Sequence, residues 1–436
     1  MVRGILIVAF FLVIGALMMS RKLPTFLALI IMSVGIALIG GVPFIGVDAD
    51  GKTIGIFSEI LEAGSYRMAS AMAACIFGGW YGRMVTQSGV SRALITKAAE
   101  LGGDRPLVIC LVLYAVLSFL WTNLTGLGAI IMTGSIAMPI MMTVGIPPVL
   151  AASIFLLAVT TGFNFNLYQW QSFINLTGVT QAQMQQFATI LFFITVVVSV
   201  VFIVLQLKKS GIKFAFAAEA QEAAVEDEDE LVKGWRGVLC MLTPLIPLVL
   251  VMFLKLQIVP AFLCGIIWLS IFTVGTLQKK LNTLAKTAFK CMEDVGPVIW
   301  LLVGIGMLVN AVMHPTVKAV LQPLLTAVIP NTRIPYILFF AILAPLSLYR
   351  GPLNLFGMGS GICAIIVGAG ILSPLAAMGG FVAVERLQSV GCPTNSQNAW
   401  TCSYVGLDVN VITKKLLPAL WIMAAAGAAV AGFMYM

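Results

Sequence analysis

The feature that most constrains this chain is a nearly unbroken succession of apolar segments between residues 4 and 435. They lie at about 4–19, 24–43, 66–91, 106–120, 127–143, 147–165, 187–206, 237–254, 258–277, 295–313, 335–346, 353–369, 374–388 and 416–435. Hydrophobic residues make up 60% of the 436 and charged ones 10%, where a soluble domain has roughly half and a quarter. A chain this apolar can keep its side chains from water only by facing lipid. The expected class is therefore an all-α polytopic protein of the inner (plasma) membrane. At ~20 residues per crossing the length admits about ten crossings and leaves no room for a sizeable soluble domain. Several of the segments are too short to cross alone.

Residues 4–19 follow Arg3 as in a signal peptide, but Arg21 and Lys22 come next, no small-residue cleavage site follows, and a second apolar run begins. The segment reads as an uncleaved first helix. The eight cysteines (75, 110, 240, 264, 291, 363, 392 and 402) lie mostly in apolar stretches without CxxC spacing, and read as small core residues rather than metal ligands or disulfides. The net charge of +8 fits basic loops on the cytoplasmic side better than a nucleic-acid partner, and none is expected.

The one clearly soluble piece is 207–235, with Lys208, Lys209 and Lys213 ahead of an acidic run, Glu226-Asp227-Glu228-Asp229-Glu230. It reads as a charged cytoplasmic linker between two halves, 1–206 and 236–436. The halves are related: Gly145-Ile146-x-x-x-Leu150-Ala151-Ala152 recurs 225 residues later as Gly370-Ile371-x-x-x-Leu375-Ala376-Ala377, and the same offset pairs Gly126 with Gly351. Each half reads as two helices, a long helix, two short arms about a polar tip, a helix interrupted by polar residues, and a final helix. The expected hairpins are about 106–143 and 335–369, and the interrupted helices about 147–177 and 374–406. With both termini outside and the linker cytoplasmic, sixteen basic residues fall on cytoplasmic segments and five outside. The first helix of each half then enters from opposite sides, so the repeats are expected to be inverted, the pattern of secondary transporters.

Polar breaks inside apolar segments locate a cavity, because lipid cannot satisfy an unwound backbone. There are four. Two are hairpin tips, Thr122-Asn123-Leu124-Thr125-Gly126 and Ser347-Leu348-Tyr349-Arg350-Gly351-Pro352-Leu353-Asn354. Two interrupt helices, Thr160-Thr161-Gly162-Phe163-Asn164-Phe165-Asn166 and Ser389-Val390-Gly391-Cys392-Pro393-Thr394-Asn395-Ser396-Gln397-Asn398. Exposed helix N-termini at such breaks suit a carboxylate, and freed carbonyls and side-chain oxygens suit Na+. A lone Thr, Ser or Asn in a membrane helix is more often an interhelical hydrogen-bonding group, but four breaks at repeat-related places point to a site.

Arg350 is the most informative residue. A charge at mid-membrane costs at least ~2.5–3.5 kcal/mol on insertion scales, so it should face a cavity and have a partner. The partner is either an anionic substrate held through a bidentate guanidinium or an internal carboxylate such as Glu385 or Asp294. Glu385 is equally open between a proton-coupling carboxylate and a salt bridge with Arg386 or Arg350. His314, the one histidine, reads as an ordinary interfacial residue.

Two inverted repeats, each with a re-entrant hairpin followed by an interrupted helix, resemble the ion transporter superfamily of divalent anion:sodium symporters, citrate and gluconate permeases and arsenite-efflux proteins. Trp121-Thr122-Asn123-Leu124-Thr125 followed by Ala137-Met138-Pro139-Ile140 looks like the Ser-Asn-Thr tip and Leu-Pro-Ile run of the divalent-anion symporters. Cys392-Pro393-Thr394-Asn395 looks like the break of their second interrupted helix, and Gly391 to Leu407 is similar to the late segment of the citrate and gluconate permeases. The resemblance implies that Thr122, Asn123, Thr125, Thr394 and Asn395 contribute to substrate or Na+ binding. It also implies a homodimer in which hairpins and broken helices move as an elevator. The second tip departs from the pattern, since Tyr349-Arg350-Gly351 puts a fixed cation where a second sodium would sit.

The leading expectation is a secondary transporter of a small organic anion, a carboxylate, coupled to Na+ or H+ or working by exchange. Its substrate residues would be Thr122, Asn123, Thr125, Arg350, Gly351, Asn354, Thr394 and Asn395, and its ion-coupling residues Asn123, Gly162, Asn164 and Glu385. The alternative is a cation/proton antiporter using Glu385 and Asp294. An intramembrane enzyme would need Asp, His or Glu clustered near one face, and a channel would be closed from both sides by the hairpins. Beyond Na+ as a coupling ion no cofactor is expected, and the partners are the substrate, the bilayer and a second copy.

Overall fold

The computed structural model describes residues 2–20, 22–47, 50–51, 53–103, 105–210 and 234–436. Of the linker expected at 207–235, residues 211–233, with the acidic run, lie outside the described residues. Of the described residues 82% are helical, and the one sheet among them is a two-stranded ribbon, Gly46–Val47 against Thr53–Ile54.

The helices before residue 211 are α1 (Val2–Met19), α2 (Thr25–Gly40), a π-helical stretch Ile56–Glu62, α3 (Ala63–Tyr66), α4 (Ala69–Gln87), α5 (Val90–Gly102), α6 (Pro106–Leu120), α7 (Leu127–Thr143), α8 (Pro148–Gly162), α9 (Leu167–Thr177) and α10 (Gln181–Ser210). Those after residue 233 are α11 (Gly234–Met241), α12 (Leu245–Met252), α13 (Ile258–Phe272), α14 (Leu277–Met313), α15 (Pro315–Val328), α16 (Arg333–Leu343), α17 (Gly359–Gly368), α18 (Pro374–Gly391), α19 (Ser396–Tyr404) and α20 (Val409–Tyr435). Among the described residues five helical segments are long and apolar enough to cross a bilayer: Pro148–Phe165, Gln181–Ser210, Leu277–Met313, Arg333–Arg350 and Val409–Tyr435. The bent pair α11 and α12 makes a sixth if it is one span, and six shorter apolar helices of 10–17 residues accompany them.

Burial orders these helices. In α8 every residue from Leu150 to Gly162 is buried, and in α18 every residue from Ala376 to Gly391. The span of α8 is 89% buried, whereas that of α10 is 28% buried and turns Phe193, Val197, Val201 and Leu205 outward. A helix apolar on all sides belongs in an interior or in lipid, and α8 and α10 take those two places. Around them α18 packs on α20, α20 on α10 and α16, α6 on α8, and α14 runs along α2 and α4.

The recurring octapeptides form the same turn. Gly145 (φ +83°) donates to Met142 O and Ile146 to Met141 O; Gly370 (φ +69°) donates to Val367 O and Ile371 to Ile366 O. In each case a left-handed glycine ends one helix so that a proline, Pro148 or Pro374, can start the interrupted helix one turn later.

Among the boundaries that differ from the sequence expectation, three bear on the site and its supports. The segment 237–254 is two helices bent by 48°, because Pro244 has no amide to continue α11. The helix expected at 295–313 begins at Leu277, where Thr276 Oγ1 accepts from Lys279 N (3.3 Å), so Glu293 and Asp294 lie at its middle. The arm expected at 353–369 is helical from Gly359, since the tip folds as a 3-10 helix, Ala344–Arg350, followed by turns over 351–358.

Close helix approach depends on Gly64 and Gly306: a Cβ on Gly64 would stand 2.7 Å from Met307 Cα, and one on Gly306 would meet Gly64 O. Gly64→Ala should cost about 1–3 kcal/mol and lower the melting temperature in detergent. Gly296→Ala, on α14 with open space around it, should leave stability unchanged or raise it by up to about 1 kcal/mol.

Candidate functional site

All four polar breaks border one cavity of about 800 Å³. One wall is α4 and α14, through Arg83, Thr86, Asp294 and Val298. The first hairpin supplies Trp121, Thr125 and the start of α7; the first interrupted helix supplies Phe163, Tyr168 and Gln169. The second hairpin adds Arg350 and Phe356, and the second interrupted helix adds Glu385, Gln388, Ser389, Asn395, Ser396 and Gln397.

At the first break α8 ends at Gly162, where the hairpin packs so close that a Cβ would strike Ser118 O and the Trp121 side chain. The chain turns through Phe163–Phe165 and restarts at Leu167, with Asn166 as cap: its Oδ1 accepts from Gln169 N (3.4 Å). The same side chain's Nδ2 donates to Trp121 O (3.2 Å) and Leu124 O (3.0 Å), fastening the hairpin tip to the break. Asn164 turns away from the cavity, donating to Thr195 Oγ1 (2.9 Å) on α10, while its own carbonyl accepts from Trp170 Nε1 (2.7 Å).

The second break repeats the device with other residues. Asn395 Nδ2 donates to Gln388 O and Ser389 O (both 3.0 Å), Gln397 Nε2 to Ser389 O (2.8 Å) and Asn398 Nδ2 to Cys392 O (2.7 Å). The carbonyls freed at the end of α18 are thus bonded to side-chain amides. The two breaks are joined directly: Thr160 Oγ1 lies 2.7 Å from Ser389 Oγ, Arg386 Nη1 donates to Thr160 O (3.2 Å), and Arg386 Nη2 reaches Gln169 Oε1 (3.5 Å).

Arg350 sits on a strained backbone. Tyr349 (φ +53°) and Arg350 (φ +62°) are consecutive left-handed residues, a conformation costing roughly 1–2 kcal/mol per side-chain-bearing residue. Tyr349 N donates to Cys392 Sγ (3.1 Å), Arg350 O accepts from Met358 N (3.1 Å), and Gly357 passes so close that a Cβ there would stand 2.9 Å from Arg350 Cβ. The guanidinium donates through Nη1 to Phe356 O (3.1 Å). Neither carboxylate considered as its partner is paired with it. Asp294 is bonded to Arg83 Nε through Oδ2 and accepts from Gly128 N (3.2 Å) through Oδ1. Glu385 is 1% exposed, and its Oε2 has no hydrogen-bond partner.

The expected site residues therefore divide. Thr125, Arg350, Glu385, Asn395 and Asp294 line the cavity. Thr122 and Asn123 turn from it: Thr122 Oγ1 donates to Phe119 O (2.8 Å), and Asn123 Nδ2 donates to Thr122 Oγ1 and to Pro244 O at the α11–α12 bend (both 2.7 Å). Asn354 braces the second loop, donating to Ser347 O (3.0 Å) and accepting from Phe356 N (2.8 Å), and Gly351 packs against Leu346 O. Thr394 meets Cys392 Sγ (3.0 Å). Sequence reasoning missed Gln169 and Gln388, each just outside the stretch read as a break. It also missed Arg83, whose partner Asp294 is 211 residues away.

No protein-family model matches the chain, and neither does any curated protein. Among solved structures it is similar to MtrF of Neisseria gonorrhoeae, a protein described as illuminating a class of antimetabolite efflux pumps. The TM-score is 0.58 over 94% of each chain, with 13% of residues identical. That likeness is one of fold: the chain has the architecture of an all-α polytopic membrane protein.

Proposed function

We propose that the protein is a secondary active transporter of a small organic anion, a carboxylate, coupled to Na+ or H+ or working by exchange. The observation that carries this reading is Arg350, a cavity-lining cation whose guanidinium is bonded to a carbonyl and to no carboxylate. The likeness in fold to an efflux pump supports a transport role over an enzymatic one.

In this reading the anion's oxygens meet the free edge of the Arg350 guanidinium, whose fork matches a carboxylate. The amides of Gln169 and Gln388 complete the polar cage, while Trp121, Phe163 and Phe356 keep water from the rest of the molecule. Thr125 Oγ1 is a buried, cavity-lining oxygen without a donor, the kind of ligand Na+ takes, whereas Asn123 Oδ1 and Asn164 Oδ1, also without a donor, belong to side chains turned from the cavity. The recurring order of elements supports two inverted repeats. The ties between the two breaks support their moving as one body against α4 and α14, in an elevator motion within a homodimer.

Radiolabelled carboxylate exchange in proteoliposomes tests the assignment. Arg350→Ala should weaken substrate affinity by about 2–5 kcal/mol, roughly 30-fold or more, with Arg350→Lys in between; unchanged affinity for the native anion in the alanine variant would sink it.

The unpaired Oε2 of Glu385 favours a second reading, a cation/proton antiporter using Glu385 and Asp294. Glu385→Gln separates the two. Under antiport it should abolish pH-driven cation flux, whereas organic-anion exchange should survive it.

A further inference from the structure

On the outer surface of α13 and α14, away from the central cavity, lies an apolar groove of about 370 Å³. Leu263, Ile267 and Ile271 of α13 form one side, Leu281 and Leu284 of α14 the other, and Trp80 of α4 lines it as well. The Trp80 indole is fixed there by donating to Leu284 O (3.2 Å) and Thr287 Oγ1 (3.0 Å). At the mouth, Lys280 folds back over the end of α13, its Nζ donating to Ile271 O (3.1 Å) and keeping its other two protons free of that bond. Lys279 is exposed beside it.

Two independent features mark this mouth as headgroup depth. Trp235, Trp268 and Phe272 cluster toward the same end of α13, with the Phe272 centroid 6.4 Å from Trp235 and 4.6 Å from Trp268, and Arg236 stacks on Trp235 at 5.5 Å. Aromatic rings of this kind settle at the membrane–water interface. The charge is also one-sided: residues 234–290 hold Arg236, Lys255, Lys279, Lys280, Lys286 and Lys290 and no Asp or Glu. Lysines at a groove mouth, with no acid between residues 234 and 290, complement an anionic headgroup.

We infer that this groove binds an anionic phospholipid, one acyl chain lying between α13 and α14 and the phosphate resting on Lys279 and Lys280. The site stands apart from the transported anion. It lies on the same two helices, α4 and α14, that carry Arg83 and Asp294 to the cavity, and Trp80 is one turn from Arg83.

The test is native mass spectrometry of the purified protein in detergent, titrated with dioleoyl phosphatidylglycerol or dioleoyl phosphatidylcholine. Wild type should retain the glycerol lipid with about tenfold preference, which Lys279→Gln/Lys280→Gln should remove. Lys414→Gln/Lys415→Gln, a basic pair elsewhere, should leave it intact. Ile267→Trp, at a lipid-facing position 56% exposed, should fill the groove and reduce retention of the glycerol lipid even if the lysine pair proves unstable. Three results would overturn the inference: equal retention of the two lipids by wild type, a preference that survives both substitutions in the groove, or retention of neither lipid, as a groove covered by a second copy would give.

Discussion

Everything in this architecture depends on a rule of apolar media, that a backbone group released from a helix must find another partner nearby. The chain opens its helices in four places, and each opening is met by a side-chain amide. Asn166 holds the carbonyls of the first tip, Asn354 one of the second, and Asn395, Gln397 and Asn398 those at the end of α18. Amides suit the task because one group both donates and accepts without bringing a charge into the membrane. Asparagines in the breaks are therefore mostly framework, and the cavity is polar because of what the framework leaves over.

What it leaves over is a set of charges kept apart. Arg83 and Asp294 neutralise each other, and Asp294 also receives the first turn of α7 through Gly128 N. Gly126 and Gly128 make this approach possible, since a Cβ on either would stand 2.8 Å from an Asp294 atom. Arg386 is spent on Thr160 O and Gln169. Arg350 and Glu385 form no close ion pair with each other, although the Glu385 carboxylate lies within the electrostatic reach of both Arg386 and Arg350.

Much of this was legible in the sequence. The hairpin arms 106–120 and 127–143 fall on α6 and α7 to the residue, because Pro106 at one end and Gly126 at the other leave no ambiguity about where a helix can run. The interrupted helices were equally plain, since Gly162, Pro393 and clustered amides have few other uses inside an apolar run. The direction in which a side chain points was not legible. Asn123 sits at a tip as expected, yet its partner is Pro244 O, and nothing local to residue 123 announces a carbonyl freed 121 residues later. The pairing of Arg83 with Asp294 was hidden likewise, because the helical reach of α14 back to Leu277 depends on lysines that hydropathy alone assigns to a loop.

Several contacts in and around the site join residues on opposite sides of the central linker. Asn123 waits for Pro244, Arg83 for Asp294, and Thr160 for Arg386 and Ser389. Ribosomes deliver the chain from its N-terminus, so the first half enters the bilayer with these polar groups in place and their counterparts not yet made. During synthesis the half-built protein must shelter an arginine, an asparagine and an opened helix until more than a hundred further residues arrive. Its biogenesis is thus a period of exposure that the finished fold no longer records.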